Sequence, residues 1–214
     1  MIHILLKRIL VLHKYLLYLF TIFAFSQSNG NVLSLSKIGD SNWNIIKQDK
    51  TWVGWTNYDG KQICQSKKTY SFPLDEIATI IEDKSAYPDV FKRISKVQIF
   101  QGDVIHITLD MPFPFSNRDY VVKYVESQEN QHVIYSFFAV TKPNVKIEDD
   151  VVRLINAEGE WRLNPISLDS TEVSYTWNGE LLGKFPDWAL TNAWETQGVE
   201  VLNWLEEALI KKFK

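Results

Sequence analysis

The sequence predicts an α+β domain in which a curved antiparallel sheet of seven to eight strands wraps around one long C-terminal helix. Alternating apolar stretches, punctuated by Asp-Gly and Gln-Gly-Asp turns, fill the middle of the chain. An apolar stripe at helical spacing follows Phe185-Pro186-Asp187 and can run to Phe213. The strands are joined mostly as sequence neighbours, which is the mark of a meander. At 214 residues there is room for one domain with a targeting extension. Hydrophobic residues at 45% and charged residues at 23% exclude a disordered chain. Aromatic residues make up 14%, with eight tryptophans, and so much planar apolar surface must fill a bulky core or line a pocket.

Charge narrows the class of partner. The chain has 23 basic and 26 acidic residues, a net charge of −3. Lys7, Arg8 and Lys14 are the basic residues of the first 26, which hold no acid, so the remainder carries 20 against 26, or −6. Phosphate backbones are bound by clustered positive charge, which is missing here, so no nucleic-acid partner is expected. Cys64 is the single cysteine, which rules out an intrachain disulfide and a cysteine-based zinc site.

MIHILLKRILVLHK is basic and apolar, YLLYLFTIFAFS has no charge, and QSNGN turns polar. That is the order of a secretory signal peptide, with Ala24 and Ser26 spaced for cleavage before Gln27. Residues 1–26 are therefore expected to be an export signal and 27–214 the mature domain, periplasmic or secreted. Left uncleaved, the segment would be a membrane anchor, although the run from Ile9 to Phe25 is interrupted by His13 and Lys14. A mature chain without disulfides suits a bacterial periplasm better than a eukaryotic extracellular space.

From Leu33 to Asp49, Leu35, Ile38, Trp43 and Ile46 recur near helical spacing and predict a short first helix. TWVGWTNY and KQICQSKKTYSF flank Asp59-Gly60, a pair that accepts the positive φ angles of a tight hairpin turn. Pro73 opens the helical stretch LDEIATIIEDKSAYPDVF, with Asp75 and Glu76 where the helix dipole favours negative charge. Pro88 ends it or starts a second short turn. Strands follow: SKVQIFQGDVIHITLDM with a hairpin at Gln101–Asp103, RDYVVKYVES, HVIYSFFAV, VVRLINAEGEWRLNPI and TEVSYTWNGEL. The closing helix carries Leu190, Trp194, Val201, Leu205 and Leu209 on one stripe and would span ~40 Å.

The central strands are apolar on both faces. Tyr120, Val122 and Tyr124 alternate with Val121 and Val125, and Tyr135 and Phe137 alternate with Ile134 and Phe138. An antiparallel sheet with one wet face reads apolar-in and polar-out. Here both sides need cover, from helices or from a bound apolar molecule.

Three segments then carry a resemblance. Pro112-Phe113-Pro114-Phe115-Ser116-Asn117-Arg118-Asp119-Tyr120-Val121 is similar to the proline-rich turn followed by Arg-Asp of START domains, the lipid-transfer domains related to the steroidogenic acute regulatory protein. Val151-Val152-Arg153 followed by Glu160-Trp161 resembles a second family segment, and Gly183-Lys184-Phe185-Pro186-Asp187-Trp188 with Asn192 resembles the lead-in to the family's last helix. The likeness covers roughly Trp43 to Phe213 and implies the helix-grip fold. It implies a hydrophobic tunnel between sheet and closing helix that holds one lipid without a catalytic step. It also implies that Thr141–Asp150 lies beside the tunnel mouth and acts with the last helix as a lid, and that the domain touches membrane surfaces transiently, as a monomer. The walls would come from Ile105, Ile107, Tyr120, Val122, Tyr124, Phe137, Trp161, Leu190 and Trp194. Sterol-binding members place a buried arginine six residues after the Arg of Arg-Asp, paired with an acid on the preceding strand. Tyr124 stands there instead, and Val104–Thr108 holds no acid, leaving Tyr124 with His106 or Thr108 as the replacement.

Other readings stand beside this one. Arg118 and Asp119 form a structural pair that pins a turn to the sheet, as such bridges commonly do. Tyr124 is open between pocket wall and core, and Trp161, Trp177, Trp194 and Trp204 are core residues by default. Only His106 and His132 remain after export, no Gly-x-Ser-x-Gly elbow occurs, and Cys64 is an isolated strand residue. No His/Asp spacing suggests a metal and no glycine-rich loop follows a strand, so neither metal nor cofactor is expected. The alternatives to a lipid carrier are a cyclase- or hydratase-like enzyme using His106 or Tyr124, and a cavity-free scaffold that binds partners.

Overall fold

The computed structural model describes Ile38 and residues 43–214 apart from 143, 183 and 184. The expected export segment lies outside the described residues, as does most of 33–42. Strands β1 (Asn44–Gln48), β2 (Trp52–Tyr58) and β3 (Lys61–Tyr70) are followed by helix α1 (Leu74–Glu82), a 3-10 turn (Lys84–Ala86) and the short helix α2 (Tyr87–Val90). Then come β4 (Ile94–Phe100), β5 (Val104–Leu109), β6 (Asn117–Glu129), β7 (His132–Ala139), β8 (Val151–Arg153), β9 (Glu158–Ser167) and β10 (Ser170–Asn178). Helix α3 (Asp187–Phe213) closes the fold.

The strands form one ten-stranded sheet in the order β1-β2-β3-β10-β9-β7-β6-β5-β4, with β8 paired to the start of β6. Every pairing is antiparallel except β8 with β6, which is parallel. Together with the long closing helix this is the helix-grip arrangement. The hairpin turns fall at the expected punctuation. Asp59 and Gly60 both have positive φ, as do Gly102 and Asp103, the backbone that a tight hairpin turn requires.

Two regions differ from the sequence reading. Asn44–Gln48, expected within a first helix, is a strand antiparallel to β2, with a register shift between Ile45 and Lys47. The helical spacing of Trp43 and Ile46 rested on too few turns to outweigh a ladder with a neighbouring strand. The count rises from seven or eight to ten because of β1 and because Val151–Arg153 is a strand separate from β9.

Helix α1 buries Ile77, Ala78, Ile80 and Ile81, and its first turn carries Asp75 and Glu76. Asp83 then caps the 3-10 turn by accepting from the Ala86 amide, and Pro88 sits in the first turn of α2. Along α3 the residues with their side chains against the sheet are Trp194, Leu202, Leu205 and Leu209. Gly198 completes that line, because a Cβ there would meet Ser66 Cβ at 3.0 Å and the Trp177 ring at 3.2 Å. The helix is fixed to β3 by the Tyr70 hydroxyl, which donates to the Leu202 carbonyl at 2.8 Å, and by Lys68, which reaches Asn203 and Glu206 at 2.8 Å. Among the described residues no helix is long and apolar enough to cross a membrane.

Candidate ligand-binding site

Beside the line that grips β3, α3 spans a cavity of about 400 Å³. Its floor is the concave face of the sheet, where Tyr120 and Tyr124 of β6, Phe137 of β7, Trp161 of β9, and Tyr175 and Trp177 of β10 project inward. Tyr87, Phe91 and Ile94 close one wall, and Ala193, Gln197, Val201 and Trp204 of α3 form the roof. The aromatic rings support one another: Trp161 and Tyr175 stand 4.4 Å apart, Tyr175 and Trp177 stack at 5.0 Å, and Phe91 meets Trp161 at 5.8 Å. Gly159 makes room for this wall, since a side chain there would collide with the Phe137 ring and the Thr176 carbonyl.

Charged groups at the wall have hydrogen-bond partners within the protein, and Arg93 and Glu158 are ion-paired. Arg93, at the foot of β4, donates through Nε and a terminal nitrogen to both oxygens of Glu200 at 2.6 and 2.9 Å, joining sheet to roof. Glu158 accepts from Lys61 at 2.6 Å. Arg118 is almost wholly buried and meets no acid; it donates to the carbonyls of Leu181 at 3.2 Å, Leu182 at 3.1 Å and Ser116. Burial accordingly pulls its pKa down. Leu182 has a φ of 45°, a conformation unfavourable for a leucine, and the Arg118 contact holds its carbonyl in place. The Phe185 ring lies 5.8 Å from the guanidinium and 4.4 Å from the ring of Phe115. Phe115 and Phe185 thus meet across the end of the cavity formed by the β5–β6 loop and the lead-in to α3.

Asp119 turns the other way. Adjacent strand residues face opposite sides of a sheet, so Arg118 and Asp119 are not partners of each other, contrary to the expected pair. Asp119 accepts two hydrogen bonds from Arg153 at 2.7 and 2.6 Å and lies 2.7 Å from His106 Nε2, on the outer face. Burial would raise its pKa, but the bonds from Arg153 and His106 outweigh that and hold the carboxyl below its usual range. Arg153 also reaches the Lys146 carbonyl, and Lys142 lies 5.0 Å from the Phe100 ring. The described part of the loop Thr141–Asp150 therefore rests on the outer face of β4–β6, and none of its described residues lines the cavity. The mouth is bordered instead by Met111, Pro112, Leu154, Leu181 and Trp188.

Of the residues proposed from the sequence, Tyr120, Tyr124, Phe137 and Trp161 line the cavity. Ile105, Ile107 and Val122 share the concave face but are sealed in the core behind the lining. Leu190 is half-buried against the core, and Trp194 donates its indole N–H to the Gly179 carbonyl at 2.8 Å and packs on Trp55. His106 faces away from the cavity, toward Asp119. Tyr87, Phe91, Tyr175 and the Arg93–Glu200 bridge were not foreseen. The alternation Val173, Tyr175, Trp177 in β10 did contain a signal for one of them. Cys64 is fully buried, and burial raises its thiol pKa. Among the described residues no cluster of His, Cys, Asp and Glu could hold a metal ion.

No family model and no curated protein matches the sequence. Solved structures do match in fold. The human StAR-related lipid transfer protein 5 superposes with a TM-score of 0.77 at 14% identity, over 84% of this chain and 92% of that one. A STAR-related lipid transfer protein fragment from Xanthomonas axonopodis matches at 0.67 and 20% identity, over 78% and 98%. The Zhui aromatase/cyclase from Streptomyces sp. R1128 matches at 0.51 and 17% identity, over 71% and 95%. Sheet order, gripping helix and these superpositions together establish that the chain has the fold of START domains.

Proposed function

We propose that the protein binds one apolar small molecule, a lipid or a compound of similar character, in the cavity beneath α3 and carries it without chemical change. The observation that carries this is the cavity itself, about 400 Å³ in size and walled mostly by aromatic side chains. Small-molecule sites span ~300–1,000 Å³. At roughly 20–30 Å³ per packed non-hydrogen atom or methylene, this one accepts on the order of 13–20 of them. A single chain or a few fused rings fits this space. A hollow of this size also argues against a cavity-free scaffold.

Exchange would take place at a membrane surface. Supporting this, Phe113, Ile155 and Trp188 are strongly exposed on the segments that border the mouth, and aromatic residues favour the membrane interface. In this proposal residues 1–26 direct export and are removed. Native mass spectrometry of protein purified from its own host tests the main claim. A single co-purifying apolar compound supports it, while a protein that is empty and takes up no fluorescent lipid analogue sinks it. The intact mass from the same sample tests the leader, whose retention would rule out cleavage.

A second reading is an enzyme of the same fold, favoured by the likeness to an aromatase/cyclase. Tyr124 lines the cavity and could act as an acid there, whereas His106 lies outside it. Product formation that is lost in Tyr124→Phe while ligand binding persists would favour this reading over carriage.

A further inference from the structure

A purely apolar container has no use for hydroxyl groups, yet four phenols enter the cavity wall: Tyr87, Tyr120, Tyr124 and Tyr175. Tyr120 and Tyr124 lie on the same face of β6, and Tyr124 is paired across the sheet with Phe137, whose ring is 5.4 Å away. Phe137 in turn stacks with Tyr175 at 6.4 Å. The hydroxyls of Tyr87, Tyr120, Tyr124 and Tyr175 lie within electrostatic reach of one another. Burial raises the pKa of all four, so they are neutral phenols that can both donate and accept. Tyr87 donates to the Ile81 carbonyl at 2.7 Å, and Gln197 lies beside Tyr175. Among the described residues the Tyr120 hydroxyl has no hydrogen-bond partner. Tyr120 is half-buried, so its hydroxyl opens on the cavity, where a guest can reach it.

Resting on the carrier function proposed above, we propose that Tyr87, Tyr120 and Tyr124 form a subsite for an uncharged oxygen, hydroxyl or carbonyl, carried on a rigid ring that stacks against the Trp161–Tyr175–Trp177 wall. The ring follows from the wall: Phe137, Tyr175 and Trp177 are stacked on one another and Trp161 is tilted against Tyr175, a fixed set of ring edges and faces that another ring complements better than a flexible chain does. An uncharged oxygen follows because the wall's charged groups already hold hydrogen-bond partners in the protein. Arg93 is ion-paired with Glu200 and Glu158 with Lys61, Arg118 is held by three carbonyls, and Glu180 accepts from Asn156. Lys84 lies 4.8 Å from the Tyr124 ring. That contact uses the ring face; the Tyr124 hydroxyl is hydrogen-bonded to that of Tyr87, which leaves its oxygen able to accept from a guest.

Pyrene and 1-hydroxypyrene, both within the size limit, separate the oxygen from the ring. Fluorescence titration of the full chain at pH 6.5 should show 1-hydroxypyrene bound at least tenfold more tightly than pyrene. Tyr120→Phe should reduce that preference to about threefold, and Tyr120→Phe with Tyr124→Phe should abolish it, with pyrene affinity unchanged throughout. Equal affinities in the unaltered protein, or a preference that survives the double variant, would overturn the subsite. So would tight binding of a fluorescent single-chain fatty acid when neither pyrene binds, a result that leaves the carrier function standing. If none of the three probes binds, both proposals fall. Tyr120→Phe removes a hydroxyl that has no native partner, so it should fold even if the double variant does not, and together with the unaltered protein it decides the outcome.

Discussion

Trp194 and Ala193 are neighbours on α3 and meet different halves of the molecule. Trp194 lies on the side that grips β2, β3 and β10, where Gly198 lets the helix backbone approach Ser66 and Leu202, Leu205 and Leu209 are sealed from solvent. Ala193 lies on the side above β6, β7 and β9, where the sheet offers tyrosine and tryptophan rings and the helix answers with small or polar groups at 193, 196 and 197. One half is filled by complementary side chains and the other is not, although both are built from apolar strands. An aromatic-rich sheet closes only where the opposing helix supplies bulk. Where Ala193, Thr196 and Gln197 face the rings a hollow persists, roofed farther along the helix by Val201 and Trp204.

Substitutions at these two positions should therefore have opposite signatures. Trp194→Ala should cost ~3–5 kcal/mol in chemical denaturation, because it removes a buried indole and its bond to the Gly179 carbonyl. Ligand affinity of the folded fraction should change less than about threefold. Ala193→Trp should leave stability within ~1 kcal/mol and weaken capture at least tenfold, or about 1.4 kcal/mol, by filling the hollow. If the two effects trade places, the boundary between the halves is misplaced. Opening the mouth is a smaller perturbation. Phe115→Ala deletes one of the two rings that meet there and should raise the ligand release rate a few-fold in stopped-flow displacement, with little change in the denaturation midpoint.

The outer face supplies the mildest test. The Asp119 carboxyl titrates below its unfolded value of ~4, so its contribution to stability is present above that pH and is lost as the pH falls through the lower folded value. Hydrogen exchange at Val151–Arg153 should accelerate in that acid range before Leu202–Leu209 loses protection. Simultaneous loss in both segments would show that Asp119 holds the whole sheet and not just β8.

Much of this division was legible in the sequence. The hairpins at Asp59-Gly60 and Gly102-Asp103 followed from turn chemistry, and the limits of α3 followed from Pro186 and the long apolar period. Alternation identified the inward residues of β6 and β7. The Arg118–Asp119 pair was misread although the period of two already forbade it, since neighbours on a strand cannot share a partner face. β1 was taken for helix because its identity comes from pairing with β2, which local spacing does not encode. Tyr87 entered the cavity wall unnoticed because its place depends on how α2 folds back on the sheet. Leu202 was passed over for Val201 because a stripe one residue wide does not fix a helix's rotation.

The order of strands has a consequence for how the chain reaches this state. β4 to β7 are joined by short connections and can zip from contacts close in sequence. β3, by contrast, completes its edge only with β10, as in the bond between Gln65 and Thr176, 111 residues apart. Distant pairings form late because their loop-closure cost precedes their reward. During refolding, amide protection should arise first within the local hairpins and last in the amides that bond β3 to β10, so that the container's floor is laid before its gripping wall docks.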